Sequence, residues 1–238
     1  FLLILVHLPR DDAFGSALEI ADALEGLGAS LTTASSFDAS AVRLNAPVAR
    51  LKDALAIMAD IALRPAFPAA DLERIRQERL TSLLQARDDP ASIAATAFAR
   101  LLYGPSHRYG TNGVGTQETV RAFTAADLRT FHGAHYVPSN PALIVTRDLR
   151  PPAAVAMLEA EFGKWGDRPL KPAPLPAAAQ AARRRLVLVD KPGAAQSQIR
   201  IGWIGVPRST PDYFELDVMN TVLGGSLTSR LNTNLREQ

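Results

Sequence analysis

A proline- and alanine-rich stretch divides this chain into two parts. Ten of the sixteen residues 167–182 are proline or alanine, and the prolines stand at positions 169, 172, 174 and 176. Proline cannot continue a helix or join a central strand, and the stretch has no apolar repeat that would bury a face. We therefore predict an exposed, semi-rigid linker over 167–182, with one folded region at 1–166 and the start of a second at 183–238.

Outside this stretch, short strand patterns alternate with longer helical ones. The predicted strands lie at 30–36, 39–46, 142–146, 185–190 and 198–206. The predicted helices lie at 18–27, 51–62, 69–87, 90–103, 124–135, 151–162 and 211–223. Strands in small groups with helices between them predict the α+β class rather than a doubly wound sheet.

Composition excludes several classes of protein. The net charge of +2 comes from acidic and basic residues that alternate along the chain, so no continuous basic stripe is available for nucleic acid. No apolar run reaches the roughly 18 residues that a membrane span needs. Without cysteine, a disulfide scaffold, a zinc–thiolate site and a cysteine nucleophile are also excluded. The last residues, 235–238, continue a helical pattern, so we expect this sequence to be a piece of a longer protein.

Four histidines and a pair of aspartates are the remaining candidates for chemistry. His132 and His135 have ligand-compatible spacing on a predicted helix, but no third ligand lies near them in the sequence, which favours a packing role. His7 and His107 stand alone, so we interpret both as ordinary residues. Asp88-Asp89 precedes Pro90, where capping of the following helix explains the carboxylates better than acid–base catalysis.

Several local patterns follow one another along the chain. They are Ala17-Leu18-Glu19-Ile20-Ala21, Leu27-Gly28-Ala29, Phe37-Asp38, Arg64-Pro65-Ala66-Phe67, Asp88-Asp89-Pro90, Leu102-Tyr103-Gly104, Phe131-His132 to Tyr136 with Pro138 and Asn140, Asp190-Lys191-Pro192-Gly193-Ala194-Ala195-Gln196-Ser197, and Leu223-Gly224-Gly225-Ser226 to Ser229-Arg230-Leu231. Together, in this order, they resemble the insulinase/pitrilysin family of inverzincin peptidases, which includes the mitochondrial processing peptidases. The resemblance implies repeated α+β domains, each an antiparallel sheet packed against helices. The region at 1–166 would be most of the first domain, with the family's second conserved region starting near 119, and 183–238 would begin the second domain.

The resemblance also implies a zinc site, and this sequence departs from it. Active family members carry H-x-x-E-H and a later glutamate, which together bind zinc and activate a water molecule. The family spacing places these motifs at 2–6 and 81–83, which read Leu-Leu-Ile-Leu-Val and Thr-Ser-Leu. The sequence therefore predicts no catalytic residue and no metal ligand, and so no cofactor, in this chain.

Three functions remain open on this basis. The first is a zinc-less subunit that binds peptide substrate and partners a homologous zinc-bearing subunit, or forms a homo-oligomer. In the family, an Arg/Tyr pair holds the substrate carbonyl, and Arg236 matches its arginine, so the resemblance makes Arg236 a substrate-binding residue. The second is an active zinc metalloendopeptidase whose motif lies outside this sequence, and the third is a structural scaffold. Many bacterial relatives are exported, which favours an exported over a cytoplasmic location.

Overall fold

A computed structural model describes residues 17–139, 141–146, 151–166, 169–170 and 175–237 of the chain. These residues form two compact units. Unit 1 comprises the described residues up to 177 together with 186–200, and unit 2 comprises those at 178–185 and from 201 onward. The predicted division into domains at 167–182 stays a prediction.

Unit 1 contains one β-hairpin and most of the helices. Its elements in chain order are α1 (Ala17–Gly26), β1 (Ser30–Ser35), β2 (Ser40–Asn45), α2 (Leu51–Leu63), α3 (Ala69–Ala86), α4 (Pro90–Tyr103), α5 (Gln117–Ala122), α6 (Ala125–His135) and α7 (Pro151–Phe162). Single 3₁₀ turns at Val48–Arg50 and Arg108–Gly110 complete it. The antiparallel strands beside these helices confirm the predicted α+β class.

Individual residues explain where α1 ends and where α4 and α6 begin. Gly28 ends the first helix with a positive φ of 63°, which costs a glycine little. Asp89 accepts hydrogen bonds from the backbone N–H groups of Ala91 and Ser92 at 3.2 and 2.9 Å, which confirms its predicted capping role before Pro90. Thr124 and Asp127 form a reciprocal capping box at the start of α6.

Helix α2 is the centre of unit 1 because it buries two faces. Ile57 and Ile61 pack with Ile20 and Leu24 of α1 beneath the hairpin. On its other side, a second cluster joins α2 to α7, and its buried members are Leu55, Ala59 and Phe162. The sequence pattern Leu51, Leu55, Met58, Ala62 identifies only the face of α2 that packs toward α7. Ile57 and Ile61, on the face toward α1, lie between the positions of that pattern.

Unit 2 contains two short helices joined by a wide turn. Helix α8 (Tyr213–Asn220) continues into one π-helical turn at Thr221–Gly225, and α9 (Arg230–Glu237) follows. The Arg208 guanidinium lies 3.4 Å from the centre of the Tyr213 ring, a cation–π contact at the start of α8.

Three predicted strands are not part of a sheet. Residues 142–146, 185–190 and 198–206 have no ladder partner in the described part of the chain, and most of their side chains are exposed. An apolar sequence favours an extended conformation, but a strand also needs a second strand for its backbone hydrogen bonds.

Within the ranges that the structure describes, every helix is too short or too polar to cross a bilayer.

Candidate functional site

The hairpin of β1 and β2 is the only sheet among the described residues, and no other described strand pairs with its two outer edges. Ser30 pairs with Asn45 at one end of the ladder and Ser35 with Ser40 at the other. At the turn, the Ser36 N–H donates to the Ala39 carbonyl at 2.8 Å, so this pair is of the hydrogen-bonded kind. Hydrogen-bonded and non-hydrogen-bonded pairs then alternate along the ladder.

This alternation fixes which backbone groups point away from the hairpin. Thr33 and Val42 are directly opposite each other in a non-hydrogen-bonded pair, as are Leu31 and Leu44. At such pairs the N–H and C=O groups point to the outer edges. On β1 the outward groups belong to Leu31, Thr33 and Ser35. The outer edge of β1 thus offers a row of backbone donors and acceptors that no other described residue pairs with.

The tip of the hairpin is bound to the loop that follows α4. The Tyr109 hydroxyl donates to Oδ2 of Asp38 at 2.8 Å, and Nη1 of Arg108 donates to the Phe37 carbonyl at 2.5 Å. Arg108 also lies 3.7 Å from Oδ1 of Asp38. We call these four residues the tip clasp. The hydrogen bond to Asp38 raises the pKa of Tyr109, because it favours the protonated phenol.

The loop that carries Arg108 and Tyr109 is itself packed. His107 is only 5% exposed; its Nδ1 accepts the Tyr109 N–H at 3.1 Å, and its ring stacks on Tyr103 at 5.1 Å between centroids. A Cβ at Gly110 would collide with the Gly104 carbonyl, so glycine is required for this close approach. Sequence reasoning missed this role of His107. The sequence does contain an indication of this packing, because Gly104 and Gly110 permit close backbone approach and Tyr103 and Tyr109 permit ring stacking around His107.

The positions that the family spacing gives to the third zinc ligand lie on α3. Thr81 and Ser82 are exposed and Leu83 is half-buried, and the Ser82 hydroxyl donates to the Glu78 carbonyl of its own helix at 3.0 Å. Hydroxyl and alkyl side chains are not the imidazole or carboxylate ligands of a zinc peptidase, so this stretch does not fit the metal. Positions 2–6 and His7 lie outside the described residues. Within the described ranges, no cluster of three His, Asp or Glu side chains could hold a metal ion.

His132 and His135 have separate contacts. Nε2 of His132 lies 2.9 Å from the Ala62 carbonyl at the end of α2, and its ring stacks on Tyr136 at 4.6 Å. Burial lowers the pKa of His132, and the hydrogen bond to Ala62 opposes this shift in part. His135 is exposed and packs on Phe131.

A cavity of about 480 Å³ opens beside His132. Its lining includes Asp60, Tyr136 and Lys164, and the Asp60 carboxylate is paired with Arg64. Burial raises the pKa of Tyr136, and the nearby Ser40 side chain opposes that shift without reaching hydrogen-bond geometry.

The predicted substrate-binding residue Arg236 lies on α9 in unit 2. Its side chain is exposed, and it forms no hydrogen bond or ion pair with another residue that the structure describes. Its role stays a prediction.

Comparisons with known proteins agree with the family resemblance. The model of the "Peptidase M16 inactive domain" matches residues 122–238. An uncharacterized zinc protease of Mycobacterium tuberculosis is 28% identical over 225 residues, which cover 93% of this chain and 51% of that protein. The uncharacterized zinc protease YmxG of Bacillus subtilis is 24% identical, with 93% and 53% covered. The chain thus spans about half the length of the curated relatives it matches.

Solved structures share the fold. The M16 peptidase inactive domain from Pseudomonas fluorescens matches with a TM-score of 0.81 and 24% identity, over 99% of this chain and 56% of that one. A protease from Helicobacter pylori matches with a TM-score of 0.75 and 17% identity, over 98% and 57%. Pitrilysin matches over 74% of this chain and 19% of its own, with a TM-score of 0.61 and 19% identity. The match over residues 122–238 and these relatives confirm the resemblance to the insulinase/pitrilysin family of peptidases, family M16.

Proposed function

We propose that this chain is part of a zinc-less M16 subunit that binds an extended peptide and acts beside a homologous zinc-bearing subunit. The outer edge of β1, which no other described strand covers, is the observation that supports peptide binding. Three of its residues direct their backbone N–H and C=O groups outward. An extended peptide that adds to such an edge gains a ladder of main-chain hydrogen bonds without a specific sequence.

Two observations favour β1 over β2 as the binding edge. Strand β1 is rich in serine and threonine, which suits an edge open to water, whereas β2 carries Ala41, Val42 and Leu44. Leu44 also packs with residues of both α2 and α7, so β2 lies closer to the rest of unit 1.

A pair of proline substitutions tests this edge. Thr33→Pro removes one outward N–H from β1, and Val42→Pro removes the outward N–H directly opposite on β2, so the two variants disturb the same rung. Binding of a labelled, unstructured peptide is measured by fluorescence anisotropy, with circular dichroism to verify folding. We expect Thr33→Pro to lose binding and Val42→Pro to keep it. Equal binding by both variants would contradict the β1 edge, and no binding by the unmodified chain would favour a scaffold role.

The lack of zinc is a separate part of the proposal. It is supported by Thr81, Ser82 and Leu83, which offer no zinc ligand where the family has one. Elemental analysis after dialysis against micromolar zinc is the test, on this chain and on the full-length protein. We expect no stoichiometric zinc in either. One zinc per full-length chain would instead favour an active metallopeptidase, which is the activity named in its curated relatives.

Arg236 is proposed to act on the substrate of the zinc-bearing partner. A guanidinium stays charged and presents a planar set of donors, so it can polarise a peptide carbonyl. In the full-length protein reconstituted with its partner, Arg236→Ala should lower kcat about 10²–10³-fold and leave the elution volume of the pair unchanged. Arg236→Lys should recover only part of the activity, because an ammonium cannot reproduce the planar fork. Unchanged turnover in Arg236→Ala would show that the residue is only a surface arginine.

A further inference from the structure

The two ends of the hairpin are held in different ways. At its base, Leu31 and Leu44 pack on the apolar cluster of α1 and α2. At its tip, the turn residues Phe37 and Asp38 are exposed to solvent. An isolated two-stranded hairpin is marginally stable in water, so a hairpin fixed only at its base would bend and twist at its tip.

The tip clasp supplies the second anchor. It combines the Tyr109–Asp38 hydrogen bond, the Arg108–Phe37 hydrogen bond and an edge-to-face contact between the Phe37 and Tyr109 rings at 5.8 Å. These contacts join residues about 71 positions apart in the sequence. The anchor is firm because His107, which accepts the Tyr109 N–H, is buried.

We propose that Tyr109 and Arg108 are positioning residues for the β1 edge, an inference that rests on the proposed function. The outward groups of Leu31, Thr33 and Ser35 lie between the base and the tip, so their alignment depends on both anchors. An edge that is already straight loses less conformational freedom when a peptide adds to it. The tip clasp therefore raises peptide affinity without touching the peptide.

Removal of one hydroxyl tests this role. Tyr109→Phe keeps the ring and loses the hydrogen bond to Asp38. Tyr103→Phe is the matched control: it lies in the same aromatic cluster, and its hydroxyl bonds to no other described residue. Peptide affinity should fall about two- to ten-fold in Tyr109→Phe, as expected for one hydrogen bond, and stay at the unmodified value in Tyr103→Phe.

Variants of Asp38 complete the test. Asp38→Ala should weaken binding at least as much as Tyr109→Phe, because it also removes the ion pair with Arg108, and the double variant should be no weaker than Asp38→Ala alone. Asp38→Asn keeps an acceptor for the Tyr109 hydroxyl and should restore most of the affinity. Hydrogen exchange of the turn at 36–39 should speed up in Tyr109→Phe and Asp38→Ala only.

The outcomes separate this inference from the function on which it rests. No peptide binding by the unmodified chain overturns the proposed function. Binding that is unchanged in Tyr109→Phe, while exchange at the turn speeds up, overturns the positioning role and leaves the clasp as a purely structural contact. An equal loss of affinity in Tyr103→Phe also overturns it, because the effect would then come from the aromatic cluster as a whole.

Discussion

At the scale of single residues, His132 makes folding stability depend on pH. Burial lowers its folded-state pKa from the ordinary value of 6.5. As the pH falls, the unfolded chain therefore takes up a proton at this residue before the folded chain does. Stability should be full above about pH 6.5 and fall as the pH drops from there toward the folded-state pKa. Because the imidazole is only half-buried, the slope should stay below the roughly 1.4 kcal/mol per pH unit of one full proton. Urea unfolding between pH 8 and 5 measures it.

One variant identifies the residue responsible. His132→Gln should flatten the pH dependence over this range. Asp60, Arg64, Glu161 and Lys164 line the same cavity as His132. A slope that persists in His132→Gln would show that a group other than His132 is responsible.

Phe67 carries an unusual backbone conformation for a bulky residue. Its φ is 51°, and its side chain is 2% exposed among Leu72, Ile75 and Leu128. Left-handed backbone is costly for such a residue, so the packing of the ring between α3 and α6 must outweigh the strain. Phe67→Ala should lower the free energy of unfolding by about 3 kcal/mol or more in urea titrations. Phe131→Ala, on an exposed ring, should change it by less than about 1 kcal/mol.

At the scale of elements, Arg76 joins α3 to the short helix α5. Its guanidinium donates to the carbonyls of Val120, Arg121 and Phe123 at 2.5, 2.9 and 2.7 Å. It thus supplies hydrogen-bond donors to carbonyls at the C-terminal end of α5, where the helix itself provides none. Along α3, the glutamates at 73 and 78 beside the arginines at 74, 76 and 79 predict only an ion-paired helix surface. That prediction is right for Arg74, which pairs with Glu78 at 2.7 Å, and incomplete for Arg76, whose side chain is 13% exposed.

Matched methionine variants test this link. Arg76→Met should lower the free energy of unfolding by about 2 kcal/mol, because three carbonyls lose their charged donor. Hydrogen exchange at 117–123 should speed up in parallel. Arg74→Met should cost about 0.5 kcal/mol or less, as expected for an exposed ion pair. Equal effects of the two variants would show that Arg76 does not support α5.

The elements that sequence patterns predict well are those held by local contacts. The hairpin at 30–46 and the helices from α2 to α4 occur where apolar spacing, caps and prolines indicate. Helix α5 escapes prediction because six residues are too few for a periodic pattern. The tip clasp and the Arg76 contacts escape it because their partners are distant in sequence, so only the tertiary fold brings them together.

At the scale of the whole molecule, exposed apolar side chains distinguish this chain from an ordinary monomer. In unit 1, Leu186 and Leu188 are 98% and 91% exposed, and in unit 2, Ile201 is 89% exposed. Such surfaces normally meet another part of a protein. The curated relatives are about twice as long as the matched region, so we expect the rest of the family's length to cover these residues.

Charged substitutions at these positions test that expectation. Leu188→Lys and Ile201→Lys should each reduce binding of the dye ANS and slow aggregation of the present chain without lowering its Tm. In the full-length protein, the same changes should destabilise it, because the positions would then be buried. Leu72→Lys, at a buried position, should unfold the present chain. Unaltered stability of the full-length variants would show that these residues stay exposed.

The alternating pairs of the hairpin also determine where insertions are tolerated in evolution. One extra residue in β1 would exchange inward and outward backbone groups beyond that point and turn Leu31 or Thr33 to the opposite face. Residues 175–179 carry no helix or strand, so their length is free to vary. We therefore expect a library of single-residue insertions to yield folded variants at 175–179 and few at 30–45. Natural variation in length should be distributed in the same way.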